Sequence, residues 1–336
     1  MLQSGGFNAA LRKEEIMIFD IFEQTQRPQS RLFFRHADPH DTRLGAIVSS
    51  QPEHYAAAEV VLLGCPQDEG VRRNGGRPGA RLAPDAIRQC FYRLAPPTAG
   101  HDRTIRLFDL GNTIIQPDLE ATHSLHQQIV QQVIRDGKRL ITLGGGNDLS
   151  YPDCAGLAAE RPNLLAFNVD AHFDVRESPI RHSGTPYRQL LEEGHLKPAN
   201  FHEVGSEPFA NARAYDDYLA AKGVQVCGLE ALRETGIAAY FRQALANTSA
   251  EAIFWGIDVD SVHAADAPGV SAPNPLGLSA AELCQIARIA GRDPRSRIIE
   301  FTEVNPEFDI DQRTCRLTAA AIFYFLLGML ESETTL

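Results

Sequence analysis

The sequence predicts an α/β fold in which helices cover both faces of a mostly parallel sheet. Short apolar runs alternate with longer amphipathic segments from about residue 58 to the C-terminus, the pattern of repeated strand–helix–strand units. The runs are almost continuously apolar, as expected for parallel strands that are buried on both faces. Because no linker, repeat or low-complexity tract interrupts the pattern, we expect a single domain over residues 56–336 and an N-terminal arm over residues 1–55 that packs on it.

Each apolar run is a predicted strand, and each amphipathic segment is a predicted helix. The predicted strands are 58–65, 105–109, 139–143, 164–169, 201–204, 224–227, 252–257 and 298–301. The predicted helices are 84–94, 119–136, 186–193, 210–221, 231–244, 280–290 and 315–331. Pro84 opens the first of these helices, where its missing N–H group does no harm. Since ligands of parallel sheets bind at the carboxyl ends of the strands, a functional site is expected there.

The composition narrows the class of protein. The net charge of −11 argues against nucleic acid as a partner, since phosphate binding needs a basic surface. The six cysteines form no CxxC pair, which favours reduced thiols in a cytoplasmic protein. The most apolar segment, residues 317–330, is shorter than the ~20 residues that span a membrane. We therefore expect a buried helix there and no membrane partner.

One acidic segment follows the predicted strand 164–169. Asp170, His172 and Asp174 stand there at alternate positions, and alternate side chains of an extended segment share one face. Two carboxylates and one imidazole suit Mn²⁺, Zn²⁺ or Fe²⁺ better than Ca²⁺. The segment alone leaves two interpretations open, a metal site or an acidic strand end that caps the following helix.

Three other predicted strands end in similar residues. Asn147, the pair Asp258 and Asp260, and Glu303 each follow one of them. The carboxyl ends of parallel strands meet at one edge of the sheet, so these side chains are expected to lie close together. So many carboxylates would repel one another unless cations were present, and two divalent ions about 3.5–4 Å apart would activate a shared water. That each aspartate belongs to an independent turn or helix cap is the less favoured alternative.

Four motifs in this order resemble the ureohydrolase superfamily, which contains arginase, agmatinase and formiminoglutamase. They are Gly-Gly-Gly-Asn-Asp at 144–148, Asp-Ala-His-Phe-Asp at 170–174, Ile-Asp-Val-Asp-Ser at 257–261 and Glu-Val-Asn-Pro at 303–306. Three further segments, 70–80, 183–186 and 267–273, look most like formiminoglutamase. The resemblance implies an arginase-like, three-layer α/β/α domain with a sheet of about eight strands, in a homo-oligomer.

The resemblance also implies a reaction and a cofactor. A formiminoglutamase would convert N-formimidoyl-L-glutamate and water to L-glutamate and formamide, in histidine degradation, with two Mn²⁺ ions per subunit. Six metal ligands are implied: Asn147, Asp170, His172, Asp174, Asp258 and Asp260. Asp170 and Asp258 would take part in catalysis because they would bridge the ions, and a hydroxide between the ions would attack the amidine carbon. Glu303, the third catalytic residue, would hold the cationic amidinium and orient its carbon.

Two pairs of ligands would distinguish the two ions. Asp174 would complete the shell of the first ion together with Asn147, whereas His172 and Asp260 would complete the shell of the second. The family motif has histidine where this chain has Asn147, whose neutral amide oxygen is a weaker donor. The first ion is therefore expected to bind weakly or to be absent, which leaves a catalytically weakened family member as an alternative.

Substrate recognition differs between the branches of the superfamily. Ser183 stands where arginases and agmatinases have a histidine, and His182 lies one residue earlier. A glutamate substrate carries two carboxylates, which arginine binds through paired hydrogen bonds. The expected substrate-binding residues are Arg72, Asn74, Arg176, His182 and Ser183. If the arginines face away from the metals, another amidine or guanidine substrate and an agmatinase-, guanidinobutyrase- or arginase-like activity become the alternative.

Overall fold

The computed structural model describes residues 19–98 and 103–333 and contains the predicted parallel sheet with one additional strand. The strands are β1 Thr25–Gln26, β2 Val60–Gly64, β3 Leu107–Thr113, β4 Arg139–Leu143, β5 Leu164–Val169, β6 Phe201–Ser206, β7 Gln225–Gly228, β8 Ala252–Asp258 and β9 Ser296–Thr302. Their order across the sheet is β1-β3-β2-β4-β9-β8-β5-β6-β7. Only the short edge strand β1 runs antiparallel to its neighbour β3, and the other neighbouring strands are parallel.

Helices cover both faces of this sheet, as predicted. They are α1 Leu44–Ile47, α2 Glu69–Arg73, α3 Ala83–Phe91, α4 Leu119–Arg135, α5 Ser150–Glu160, α6 Pro186–Glu192, α7 Arg213–Lys222, α8 Leu229–Thr235, α9 Ile237–Ala246, α10 Ala280–Arg292 and α11 Arg313–Glu333. Neighbouring residues of β8 point to opposite layers: Trp255 packs in one apolar core with α3 and α8 to α11, and Phe254 packs in another with α4 to α7. The fold is therefore the three-layer α/β/α arrangement.

The helices differ from the prediction in several places: the short helices α1 and α2 were not predicted, and neither was the longer α5. Helix α5 was not predicted, because its first nine residues are all buried and its sequence lacks the polar stripe that marks an amphipathic helix. The predicted helix 231–244 is two helices, α8 and α9, which meet at Gly236. Gly236 has a φ of 83°, a left-handed conformation that glycine adopts without strain.

The C-terminal helix α11 is longer than its predicted apolar segment. Its window Arg313–Ser332 is long and apolar enough to cross a membrane by length and composition, but 67% of that window is buried inside the protein. The burial is against α10, where a Cβ atom on Gly291 would lie 1.9 Å from the carbonyl oxygen of Phe325. Glycine thus permits a close crossing of the two helices, in agreement with the expectation of a buried helix.

The described part of the N-terminal arm, residues 19–55, contacts the body of the protein at several points. Thr25 of β1 pairs with Thr113 of β3, and Leu44 is completely buried in the core beside α3. The sequence did not predict β1, because a two-residue strand carries no periodic signal. Residues 1–18 of the predicted arm lie outside the described residues.

The sheet order places the four acidic strand ends side by side. Strands β4, β9, β8 and β5 are consecutive neighbours at the centre of the sheet. Behind β4, Gly145 allows the loop before Asn147 to approach the segment after β2, because a Cβ atom on it would lie 1.8 Å from the carbonyl oxygen of Gln67. The carbonyl oxygen of Gly145 also accepts a hydrogen bond from the backbone N–H of Glu303 at 2.8 Å. This glycine therefore joins two of the strand ends.

We predict that Gly145→Ala lowers the free energy of unfolding by about 3 kcal/mol, because backbone must move to admit the new methyl group. The matched control is Gly223→Ala, where φ is 79° and no atom lies within 4 Å of the position that a Cβ would occupy; it should cost only about 1 kcal/mol of backbone strain. Guanidinium unfolding curves of both variants measure the difference. Equal losses would show that the close approach at Gly145 is not required.

Candidate metal centre and substrate pocket

The acidic segment after β5 brings its ligand-type side chains together by a turn. It was predicted to be extended, but β5 ends before it, and Asp174 has a φ of 49°. The backbone N–H of His172 donates to Oδ1 of Asp170 at 2.7 Å, which closes the turn. Ala171 and Phe173 point into the packing, with 2% and 3% of their surface exposed. The side chains of this segment are brought together by a turn with a left-handed residue, and not by the alternation of side chains along an extended strand.

Two groups of metal-type ligands share one aspartate. Asp170, His172 and Asp260 form one group, and Asp170, Asp174 and Asp258 form the other; within each group the ligand atoms lie within 4.8 Å of one another. In the first group, Nδ1 of His172 is 3.3 Å from Oδ1 of Asp170 and 3.4 Å from Oδ1 of Asp260. Asp170 is common to both groups, whereas Asp258, the second bridging ligand that the resemblance implied, belongs to one group only.

The electrostatics of these carboxylates indicate a cation site. Burial, reinforced by neighbouring carboxylates, raises the pKa of Asp170 to about 6 and that of Asp174 to about 8. The same causes raise the pKa of Asp258 well above its usual range. Among the described residues, Oδ1 of Asp260 accepts no hydrogen bond although it is buried. Clustered carboxylates with an adjacent imidazole fit divalent ions such as Mn²⁺, which would replace the missing partners and remove the repulsion.

Asn147 lies at this cluster, but its amide oxygen does not face it. Its Nδ2 donates to Oδ2 of Asp174 at 2.7 Å, whereas its Oδ1 accepts from the hydroxyl groups of Ser150 and Thr302, both at 2.9 Å. The predicted oxygen ligand is therefore turned away in this arrangement. Asp148, its neighbour, points elsewhere and accepts from Gln67 and His123, each at 2.7 Å.

Glu303 follows β9 and reaches the same cluster. Its φ of 61° is unusual for a residue with a side chain and is held by the hydrogen bond to Gly145 described above. Oε1 accepts the backbone N–H of Asn147 at 2.9 Å, and Oε2 has no partner among the described residues. Burial, followed by the charge of Asp260, raises its pKa. One carboxylate oxygen is thus left for a ligand that offers hydrogen-bond donors.

A pocket of about 300 Å³ opens above these residues. The cluster supplies four carboxylates and one imidazole to its lining: Asp174, Asp258, Asp260, Glu303 and His172. Its other polar lining comes from three loops: Asn74, Arg77, Arg176, Ser183 and Ser271. The lining of the pocket therefore contains both carboxylates and arginine side chains.

Three of the predicted substrate-binding residues line this pocket. Nδ2 of Asn74 donates to Oγ of Ser183 at 3.0 Å, which fixes both side chains at the wall. Arg176 is exposed, and a Cβ on Gly184 would lie 2.8 Å from its Cδ, so the glycine makes room for the arginine. Within residues 19–98 and 103–333, no hydrogen bond or ion pair engages the guanidinium of Arg176. That group is available to an anion.

The other two predicted substrate-binding residues are corrected by the structure. Arg72 lies on α2 and its Nε donates to Oδ1 of Asp68 at 3.2 Å, away from the pocket lining. His182 is buried, and its Nδ1 accepts the backbone N–H of Gly184 at 3.1 Å. Burial, followed by the nearby Arg176, lowers the pKa of His182. Both residues stabilise loops beside the pocket and do not line it.

Four further residues belong to the site although they are not among the predicted site residues: Arg77 and Ser271 line the pocket, and Ser150 and Thr302 contact Asn147. The Nε of Arg77 donates to the carbonyl oxygen of Ser271 at 3.0 Å, and its backbone N–H donates to Oγ of the same serine at 2.9 Å. These bonds join the glycine-rich loop to the loop after β8. Ser150 and Thr302 are each close in sequence to a predicted site residue, which is the signal that could have found them.

We predict that Mn²⁺ binds the metal-free protein more tightly as the pH rises from 6 to 8. Because the pKa values of Asp170 and Asp174 are raised, protons compete with the metal below these values and are lost as the pH increases. The apparent affinity should grow by about tenfold per pH unit for each carboxyl that must lose a proton. Calorimetric titration in two buffers measures both affinity and released protons. A flat affinity over this interval would contradict the raised pKa values.

Comparison with known proteins agrees with this geometry. A formimidoylglutamase from Citrobacter koseri is 36% identical over 273 residues, which cover 80% of this chain and 84% of the relative. The crystal structure of Trypanosoma cruzi formiminoglutamase with Mn²⁺ has a TM-score of 0.81 and 32% identity, covering 86% of this chain and 99% of that chain. The crystal structure of formimidoylglutamase from Bacillus subtilis has a TM-score of 0.83 and 26% identity, covering 89% and 95%.

The match to a protein family extends over most of the chain. The sequence pattern of the arginase family matches residues 58–328, a range that includes all the strands except β1 and every residue of the metal cluster. The chain therefore belongs to the arginase family.

Proposed function

We propose that this protein hydrolyses the amidine carbon–nitrogen bond of N-formimidoyl-L-glutamate to give L-glutamate and formamide. The observation that carries the proposal is the lining of the pocket, which combines the carboxylates of the cluster with the unengaged guanidinium of Arg176. The substrate has the complementary polarity, a cationic amidine at one end and carboxylates at the other. The names of the relatives from Citrobacter koseri and Bacillus subtilis support the same substrate.

The proposal includes two Mn²⁺ ions. The residues that would hold them are Asp170, His172, Asp174, Asp258 and Asp260, which form the two groups of ligand-type side chains described above. Bound there, the ions would supply a water activated for attack and would stabilise the negative charge that develops on it. The Mn²⁺ of the Trypanosoma cruzi structure supports the choice of metal for this chain.

Glu303 is proposed to bind and orient the amidine. Its Oε2 lacks a partner in the described structure and lies at the pocket, so an amidinium N–H can donate to it in a charge-assisted hydrogen bond. Oε1 remains bonded to the backbone of Asn147, which fixes the carboxylate and hence the substrate carbon. As water adds to that carbon, the bond to the glutamate nitrogen breaks, and the same carboxylate is placed to carry a proton to the departing amine.

Arg176 is proposed to bind a substrate carboxylate. A guanidinium donates two parallel hydrogen bonds to a carboxylate, which an amide from Asn74 or the hydroxyl of Ser183 can supplement. Both of these residues line the same wall of the pocket. The positive charge of Arg176 would favour a glutamate derivative over a guanidine whose other end is cationic or uncharged.

A substrate panel tests the proposed function. We expect the protein, loaded with Mn²⁺, to release formamide and glutamate from N-formimidoyl-L-glutamate and to release little or no urea from agmatine, guanidinobutyrate or arginine. The reason is that these guanidines lack the two carboxylates that Arg176 and its neighbours would bind. Urea from the guanidines without glutamate from the amidine would overturn the proposed substrate.

Arg176→Gln tests the carboxylate-binding wall. We expect KM for N-formimidoyl-L-glutamate to rise by about 10- to 100-fold, since one charge-assisted hydrogen-bonded pair contributes roughly 1.5–3 kcal/mol. The matched control is Arg72→Gln, whose side chain is half exposed and paired with Asp68 and which should change KM by less than about twofold. Steady-state kinetics measure both. Similar effects in the two variants would contradict the assignment of Arg176.

A further inference from the structure

His172 is held less by packing than the two aspartates beside it. Its side chain is 27% exposed at the pocket, whereas the side chains of Asp170 and Asp260 are 0% and 5% exposed. A partly exposed ring changes rotamer easily, and the rotamers open to it depend on the backbone dihedral angles of its own residue. The backbone at His172 must therefore be fixed if the imidazole is to stay beside both carboxylates.

Asn211, in the loop between β6 and α7, binds the backbone on both sides of His172. Its Nδ2 donates to the carbonyl oxygen of Ala171 at 2.8 Å, and its Oδ1 accepts the backbone N–H of Phe173 at 2.9 Å. These two groups belong to the two planar peptide units that meet at the Cα atom of His172. One side-chain amide thus fixes the orientation of both units, and with it the backbone dihedral angles of His172.

The amide of Asn211 is itself held in place by its loop and the sheet. Its Nδ2 also donates to the carbonyl oxygen of Glu207 at 3.1 Å, and the backbone N–H of Glu207 donates to the carbonyl oxygen of Ala171 at 3.0 Å. Glu207 follows directly after β6, in which the carbonyl oxygen of Val204 accepts the backbone N–H of Asp170 at 3.0 Å. The position of Asn211 relative to the metal-type ligands is therefore determined by the end of a sheet strand.

The neighbours of Asn211 cannot replace both of its bonds. Among the described residues, the backbone N–H of Phe173 donates to Asn211 alone, and Phe173 is only 3% exposed. The carbonyl oxygen of Ala171, by contrast, would retain its bond from Glu207. Without the asparagine side chain, the peptide unit after His172 would be released while the unit before it stays fixed, so the dihedral angles between them could change.

We infer that Asn211 is a positioning residue that holds the backbone of His172 in the conformation that directs its imidazole to a metal ion shared with Asp170 and Asp260. The described hydrogen bonds of Asn211 go to backbone groups only, and it does not line the pocket. It therefore acts through His172. An imidazole that is already in place loses little conformational freedom when it binds a metal ion, which favours binding. The inference rests on the metal site proposed above and adds a residue that the site requires beyond its ligands.

Asn211→Ala tests the inference through metal affinity. We expect the dissociation constant of the Mn²⁺ ion at the group of Asp170, His172 and Asp260 to rise by about tenfold or more, as is usual when a residue that orients a ligand is lost. Electron paramagnetic resonance of free Mn²⁺ during titration of the full chain measures the dissociation constants and the number of ions bound. An unchanged affinity in a folded variant would overturn the inference.

Asn200→Ala is the matched control. Asn200 is partly buried like Asn211, and its Nδ2 donates to the carbonyl oxygen of Leu164 at 3.0 Å. Leu164 is the first residue of β5, so this bond lies at the opposite end of the strand from the metal cluster. The dissociation constants of this variant should change by less than about twofold. A loss equal to that of Asn211→Ala would show that any lost side-chain bond to β5 weakens metal binding, and would overturn the inference.

A double-mutant cycle with His172→Ala tests whether the effect passes through the imidazole. His172→Ala identifies the binding step that depends on the imidazole, and adding Asn211→Ala should then change the constant of that step by less than about threefold, because no imidazole is left to position. A full-sized effect in this background would overturn the inference. Asn211→Ser, whose hydroxyl is too short to bond both peptide units, should weaken the same step and replaces Asn211→Ala if that variant does not fold. Failure of the unmodified protein to bind Mn²⁺ would instead overturn the metal site, and the inference with it.

Discussion

The structure depends on holding like charges together in a place from which water is largely excluded. Asp170, Asp258 and Asp260 are each at most 3% exposed, and the burial of an unpaired carboxylate costs several kcal/mol. The raised pKa values of Asp170, Asp174 and Asp258 express that cost. In a stable protein other interactions must offset this free-energy cost. Here they are the burial of apolar side chains in the two cores on either face of the sheet.

The sheet supports this cluster because its central strands cannot easily move. Strands β4, β9, β8 and β5 have neighbours on both sides and apolar layers above and below. The ligand-bearing residues follow directly from the ends of these strands, so they inherit positions that the hydrogen-bond ladders determine. At Asp174 and Glu303, which lie just beyond two of these strands, the backbone leaves the extended conformation and adopts a left-handed one. Such strain persists only where the surrounding structure holds it.

The fold and the location of the site could be predicted because both have strong local signals. An apolar run followed by Asp170, His172 and Asp174 is visible in the sequence without any knowledge of the rest of the chain. The direction of a side chain on a loop is not visible in this way. Arg72 and Arg176 are equally plausible carboxylate binders by sequence, and they differ only because Asp68 occupies one of them. Likewise, α5 is hidden because a helix that is buried on all sides has no periodic pattern.

The orientation of Asn147 depends on still finer detail. Its amide oxygen accepts hydrogen bonds from the hydroxyl groups of Ser150 and Thr302, which residue types alone do not reveal. Sequence reasoning identified the departure from histidine and its expected weakness. It could not identify Ser150 and Thr302 as the neighbours of this amide, because they belong to separate elements of the fold.

The strand order also has a consequence for how the chain must assemble. Strands β8 and β9 are the last two in the sequence, yet they lie between β4 and β5. The two outer parts of the sheet, formed by earlier segments, therefore have no contact through hydrogen-bond ladders until the last strands have been synthesised. During translation the chain exposes two long-lived strand edges, which are sites of mispairing. The metal cluster lies where β9 and β8 join β4 to β5, so it can form only after the sheet is complete.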